Sequence, residues 1–203
     1  MTHKGRELGG IALRLGLGLP LVIWLAVEYG WYYADFWLPA YRGMLEILLP
    51  DFDVLSLGIT APRGEYLISG EFVPERTLFV QGRMLPKELV INASTLMAHA
   101  LKPPIVLIAA ALAWPGLSLG ARGLRLLLSL PFLLVLELAD VPLMLASSVN
   151  DLMSWSVAPS ADAASKLVDW TTILDGGGRI ALSLAAAFAV AWLHPLLLQR
   201  RQS

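Results

Sequence analysis

A chain of 203 residues with 57% apolar and 15% charged side chains is too apolar for an ordinary soluble domain, where about 25% of residues are charged. A formal net charge of −1 excludes a strongly basic nucleic-acid binder, and the absence of cysteine excludes a disulfide framework, a thiolate nucleophile and any Cys-ligated zinc or iron–sulfur centre. Mean hydropathy is +0.66, and charge is missing from four long stretches rather than thinned evenly, as in a polytopic membrane protein.

The first span is read from Leu8 to Trp31, ending in Tyr29, Trp31, Tyr32 and Tyr33, aromatic residues suited to a bilayer interface. Lys4 and Arg6 precede it, but no A-x-A cleavage signal follows, so it reads as an uncleaved anchor. Leu38, Tyr41, Leu45, Leu48 and Leu49 then recur at helical spacing between Pro39 and Pro50, which predicts a short interfacial helix. Beyond Asp51 the pattern turns to β. The runs 53–61, 65–73, 77–85 and 88–91, separated by Pro62-Arg63-Gly64, Pro74-Glu75 and Pro86-Lys87, predict a small antiparallel meander of three or four strands.

Asn92-Ala93-Ser94 matches the N-glycosylation pattern but reads as a helix cap opening the second span, Ala93–Trp114, which Lys102, Pro103 and Pro104 interrupt. The third span is Gly123–Ser147. Ser160 then caps a second interfacial helix over Ala161–Leu174, Gly176, Gly177 and Gly178 make a flexible hinge, and the fourth span is Gly178–Leu198. Each span has about 20–25 residues, enough to cross about 30 Å of hydrocarbon. The expected fold is an all-α bundle of four transmembrane helices with an extracytoplasmic β-meander between the first and second. It divides into residues 1–33, 34–92, 93–147, 148–177 and 178–203.

Charge sets the orientation. The tail with Lys4, Arg6 and Arg14, the link with Arg122 and Arg125, and the end with Arg200 and Arg201 are basic and belong inside. The segment Asp35–Asn92 carries eight acids against five bases, and Asn150–Asp175 four acids against Lys166, which places both outside. Both termini are then cytoplasmic.

One constellation carries chemistry. Lys102 lies fourteen residues from Gly116, and Glu137 fourteen from Gly123, so on an antiparallel hairpin both sit roughly 21 Å from the inner face. His99 and Asp140 match in the same way one turn further out. A lone charge at mid-bilayer costs about 2.5–3.5 kcal/mol or more, so these side chains are expected to pair: Lys102 with Glu137, and His99 with Asp140 beside them. The cluster of His99, Lys102, Glu137 and Asp140 reads first as a structural clasp. Its alternatives are a proton relay or recognition point, or a weak metal site of His99, Glu137 and Asp140.

Other candidates carry less. Gly116-Leu117-Ser118-Leu119-Gly120 spells a nucleophile elbow but joins two membrane helices, where that motif needs a strand before it. His194 reads as an interface residue, Glu28 as solvated, and Gly16, Gly18, Ala181, Ala185 and Ala189 as close-packing positions. No catalytic residue, metal or cofactor is expected.

The order of parts resembles a known family. Leu19-Pro20 and Trp24 in the first span, an amphipathic segment ending Leu48-Leu49-Pro50, extracytoplasmic strands, an Asn92-led second span and Leu130-Pro131-Phe132 ahead of Asp140 are similar to the small four-span proteins that accompany bacterial exosortases, the exosortase-H-associated type. That resemblance implies a non-enzymatic inner-membrane accessory to the sorting of exported proteins. Its partners would be other membrane or envelope proteins in a larger complex within the lipid bilayer, with no nucleic acid. The rival expectation is a transport or proton-coupled component that uses the intramembrane cluster.

Overall fold

The computed structural model describes residues 3–80, 83–115, 117–157 and 166–199. In chain order these form α1 (His3–Leu48), β1 (Phe52–Thr60), β2 (Leu67–Pro74), β3 (Leu78–Val80), β4 (Arg83–Leu85), β5 (Ile91–Leu96), α2 (Met97–Ala113), α3 (Leu119–Val157), α4 (Lys166–Ile173) and α5 (Arg179–Gln199). The predicted cap Ser160, the start of its helix, and Arg200 and Arg201 lie outside the described residues. The fold is mostly helical with a small antiparallel sheet, and three segments are long and apolar enough to cross a membrane: Ala12–Leu48, Leu119–Met153 and Asp169–His194.

The chain folds as two compact bodies. Body one draws on residues 1–30, 101–136 and 179–203, and body two on 31–100 and 137–178.

In body one, α1 and α2 approach closely at Gly30, where a Cβ would stand 2.6 Å from Leu101 Cδ1. That is the tight contact, whereas Gly16 meets nothing within 4 Å and Ala181 and Ala185 of α5 are exposed. Of the small residues singled out by the sequence, Gly16, Ala181 and Ala185 therefore face outward while Gly18 and Ala189 are half-buried, and the buried residues of α5 include Ser183, Ala186 and Val190. Exposed leucines on α1, among them Leu17 and Leu21, give this body the apolar surface that suits a lipid environment.

Body two differs from expectation in three places. The predicted interfacial helix is not separate, because α1 runs unbroken for 46 residues, about 69 Å, through Pro39. A proline inside a helix forfeits a hydrogen bond, but Tyr33, Trp37, Tyr41, Leu45 and Leu49 form a stripe at four-residue spacing. Tyr41 and Leu45 are fully buried, and that burial holds the helix together.

The second difference concerns the sheet. Strands β1, β2 and β5 form one antiparallel sheet in that order, and the predicted strand 77–85 is a hairpin instead, with Leu78 opposite Leu85 and Val80 opposite Arg83. The turn between β1 and β2 is a single 3₁₀ turn, Pro62–Gly64, with Arg63 at φ 57° and Gly64 at φ 84°. Asn92-Ala93-Ser94, read as a helix cap, lies within β5 opposite Glu71, Gly70 and Ser69. Burial alternates along it, with Ile91, Ala93 and Thr95 inside and Asn92, Ser94 and Leu96 outside, which is strand periodicity. The pairing with β2 takes four residues from the predicted second span and leaves α2 with seventeen, about 25 Å. A bundle of four full-length spans is thus reduced to three long apolar helices and a shorter one.

Third, the glycine hinge is wound rather than loose. Leu174–Gly178 forms one π-helical turn that carries the chain from α4 into α5. Gly177 adopts φ 108°, and a Cβ on Gly178 would stand 2.6 Å from the Ile173 carbonyl oxygen, so the turn requires glycine at both positions. The core of body two holds Ile68 and Phe72 of β2, Tyr41 and Leu45 of α1, and Val141, Leu145 and Val149 of α3, all fully buried.

Candidate functional site

Two features of body two carry polar chemistry: a buried carboxylate on α3 and the outer edge of the sheet.

Glu137 is fully buried. Tyr33 Oη donates to its Oε1 at 2.7 Å, and Tyr41 Oη donates to its Oε2. The two tyrosines sit two turns apart on α1, with Trp37 between them, its ring stacked on Tyr41 at a centroid distance of 6.3 Å. A carboxylate taken from water needs donors for both oxygens, and here two phenols supply them, one to each. The carboxylate oxygens receive tyrosine hydroxyls, and Lys102, the partner the sequence set against this group, is a half-buried residue of body one.

Asp140 is 3% exposed, one turn beyond Glu137 on the same helix. The carbonyl of neighbouring Ala139 accepts the Trp170 indole N–H at 3.0 Å, which ties α4 to α3. His99 lies on the first turn of α2. Its Nδ1 is 3.0 Å from Thr95 Oγ1, and its Nε2 is 3.9 Å from Asp175 Oδ1 of the π-helical turn. Of the four predicted residues, body two therefore holds His99, Glu137 and Asp140. The sequence reading missed Tyr33, Tyr41, Thr95 and Asp175. The 33–37–41 spacing was visible as an aromatic stripe, but it was assigned to an interface and a separate helix.

Among the described residues, no group of three His, Asp or Glu side chains is placed to hold a metal ion. The elbow-like motif resolves as a helix cap, with Ser118 Oγ accepting the Ala121 N–H at 3.3 Å ahead of α3.

At the sheet edge, the register decides which backbone groups are available. The Met97 N–H donates to the Tyr66 carbonyl at 3.0 Å, continuing the ladder in which Thr95 pairs with Ile68 and Ala93 with Gly70. In an antiparallel pair, alternate residues turn both N–H and C=O to the same side. Asn92, Ser94 and Leu96 therefore point theirs away from β2. The opposite edge is less open. Strand β1 is bulged between Val54 and Ser56, and Arg42 Nη2 donates to the Val54 carbonyl at 2.8 Å. Across the outward face, Gly58, Ser69 and Ser94 lie in register as a row of small residues. Ser69 and Ser94 of that row line an open cleft of about 370 Å³, with Glu71 and Asn92 on one side and Thr60 and Leu67 on the other.

No family model matches the chain, and no curated protein or solved structure matches it either.

Proposed function

We propose that this chain is a non-enzymatic, multi-pass accessory subunit of the bacterial inner membrane that receives an extended segment of an envelope protein along the free edge of β5. The observation that carries the proposal is the asymmetry of the sheet. The backbone of Asn92, Ser94 and Leu96 is turned outward, whereas the β1 edge is bulged and one of its carbonyls is taken by Arg42. An added strand would gain main-chain hydrogen bonds there and extend the hydroxyl-rich face of Ser69 and Ser94. In this reading α2, at the lower end of the length range for a crossing, is a fourth and shorter span. Both termini are then cytoplasmic and the sheet faces outward. The resemblance to exosortase-associated proteins suggests that the partner belongs to a protein-sorting assembly.

A phenol donating to each oxygen of Glu137 supports a clasp between α1 and α3 over the transport reading.

The test is a photo-crosslinking side chain at Ser94, with one at exposed Leu55 as control, in cells that express the full chain. Crosslinking to one envelope protein from position 94 but not 55, abolished by Ser94→Pro in a normally abundant protein, is the expected result. Proline there removes an outward N–H and leaves the ladder to β2 intact. A chain that purifies alone from native membranes and crosslinks to nothing from position 94 would sink the proposal.

A further inference from the structure

The outward face of the three-stranded sheet changes character from one end to the other. Ser56, Glu71 and Asn92 lie in register, then Gly58, Ser69 and Ser94, then Thr60, Leu67 and Leu96. The first two rungs are polar or small. The last sets two leucines side by side, with Leu96 42% exposed, and Tyr66, the next residue toward the turn, is 49% exposed. Residues 61–66 are all exposed, Arg63 of the 3₁₀ turn among them. Single exposed leucines are ordinary on a protein surface, but here the large apolar side chains of a face are confined to one end of it.

The register fixes where that end stands. The Met97 N–H donates to the Tyr66 carbonyl at 3.0 Å, so the first residue of α2 and the Leu67–Leu96 rung share one level. With 17 residues α2 is about 25 Å long, against a hydrocarbon core of about 30 Å. For α2 to cross, its first turn must stand at the outer boundary, because the helix has no length to spare. The last rung and the turn Pro62–Gly64 beyond it are then carried to the bilayer surface. The exposure gradient and the helix length are separate observations, and both point to lipid.

We propose that this end of the sheet is seated on the outer leaflet. Leu67, Leu96 and the Tyr66 ring occupy the boundary between headgroups and acyl chains, and Arg63 lies among the lipid phosphates. Tyrosine suits that depth, since its ring is apolar and its hydroxyl stays wet. Arg63 and Glu65 leave the turn without net charge, so the apolar rung and not attraction to an anionic surface supplies the contact. The seating sets the height of the β5 edge and holds Asn92 and Ser94 clear of the acyl chains, where an incoming segment meets them. The inference rests on α2 being a span, as proposed above, but not on any partner at β5.

The chain has no cysteine, so a single introduced cysteine carries one spin label in the full-length protein. Leu96→Cys, Arg63→Cys, Asn92→Cys and Ile108→Cys are labelled in nanodiscs of phosphatidylethanolamine and phosphatidylglycerol. Collisions with oxygen, which partitions into lipid, are compared with those of a water-soluble nickel chelate. The first three positions are exposed, so no label there replaces a core side chain. Asn92 shares the face of Leu96 but lies four residues, about 13 Å, along the strand, farther than the headgroup layer of about 5–8 Å is thick. The oxygen-to-nickel ratio is expected to be severalfold higher at 96 than at 92, with 63 between them and 108, within α2, highest. A water-like ratio at 96 beside a lipid-like one at 108 overturns the seating and leaves the span standing. A water-like ratio at 108 overturns the span and the seating with it. Equal lipid-like ratios at 92 and 96 also overturn the proposal, because the whole face would then be embedded.

Discussion

In the body made of residues 31–100 and 137–178, fourteen Asp and Glu accompany six Lys and Arg, while the other body has nine Lys and Arg and two Glu. A net charge near zero conceals this segregation. The acidic body satisfies its deepest charge internally, since Glu137 has a phenol on each oxygen. The basic body buries Arg125 and leaves its Nε without an acceptor among the described residues. A buried charge with its hydrogen-bond partners in place acts as a fastener, whereas one that lacks an acceptor is costly. One body is therefore expected to depend on its own side chains and the other on its surroundings.

The strongest test of that contrast is a core deletion. Phe72→Ala removes a fully buried ring from β2 and should cost about 3–5 kcal/mol, whereas Leu17→Ala on the outward face of α1 should shift thermal unfolding in detergent very little. Equal losses would mean that the surface of body one is packed in a way the fold does not reveal. A smaller effect is expected at the clasp. Tyr41→Phe leaves the buried carboxylate one donor short and should destabilise by about 1–3 kcal/mol, and adding Glu137→Gln should restore part of the loss by removing the charge. The comparison sharpens if Glu137→Gln alone keeps abundance and partner crosslinking. If it instead abolishes function in a stably folded protein, the carboxylate is a working group and the clasp reading fails. The smallest shift is expected for Gly30→Ala in body one, about 1 kcal/mol, because the group it crowds is the flexible end of Leu101. A much larger loss there, seen as reduced helicity on heating, would show that the contact between α1 and α2 is rigid.

Much of the architecture was legible in the sequence because long charge-free runs and Pro/Gly turn clusters are local signals. The apolar stretches near Leu8–Trp31, Gly123–Ser147 and Gly178–Leu198 all fall within helices, and β1 and β2 stand where short runs predicted strands, whereas β5 falls largely on residues read as a helix start. The site was less legible. His99, Glu137 and Asp140 were singled out because ionisable side chains inside apolar helices are costly, and all three belong to body two. The tyrosine donors went unseen because counting residues fixes depth but not azimuth. Nothing local indicated that Tyr33 and Tyr41 would turn toward α3, or that the π-helical turn would bring Asp175 close to His99.

What the chain settled by itself was composition-level physics: apolar helices long enough for a bilayer, a small sheet between them, and acids and bases allotted to different stretches. Tertiary structure alone decided that Asn92-Ala93-Ser94 is strand rather than helix start, because β2 offered a ladder that outweighed the local preference for a cap. It also decided that Pro39 would be absorbed into continuous helix, since a buried stripe supplied the energy that propensity withholds, and that the three glycines would make a tight turn between α4 and α5.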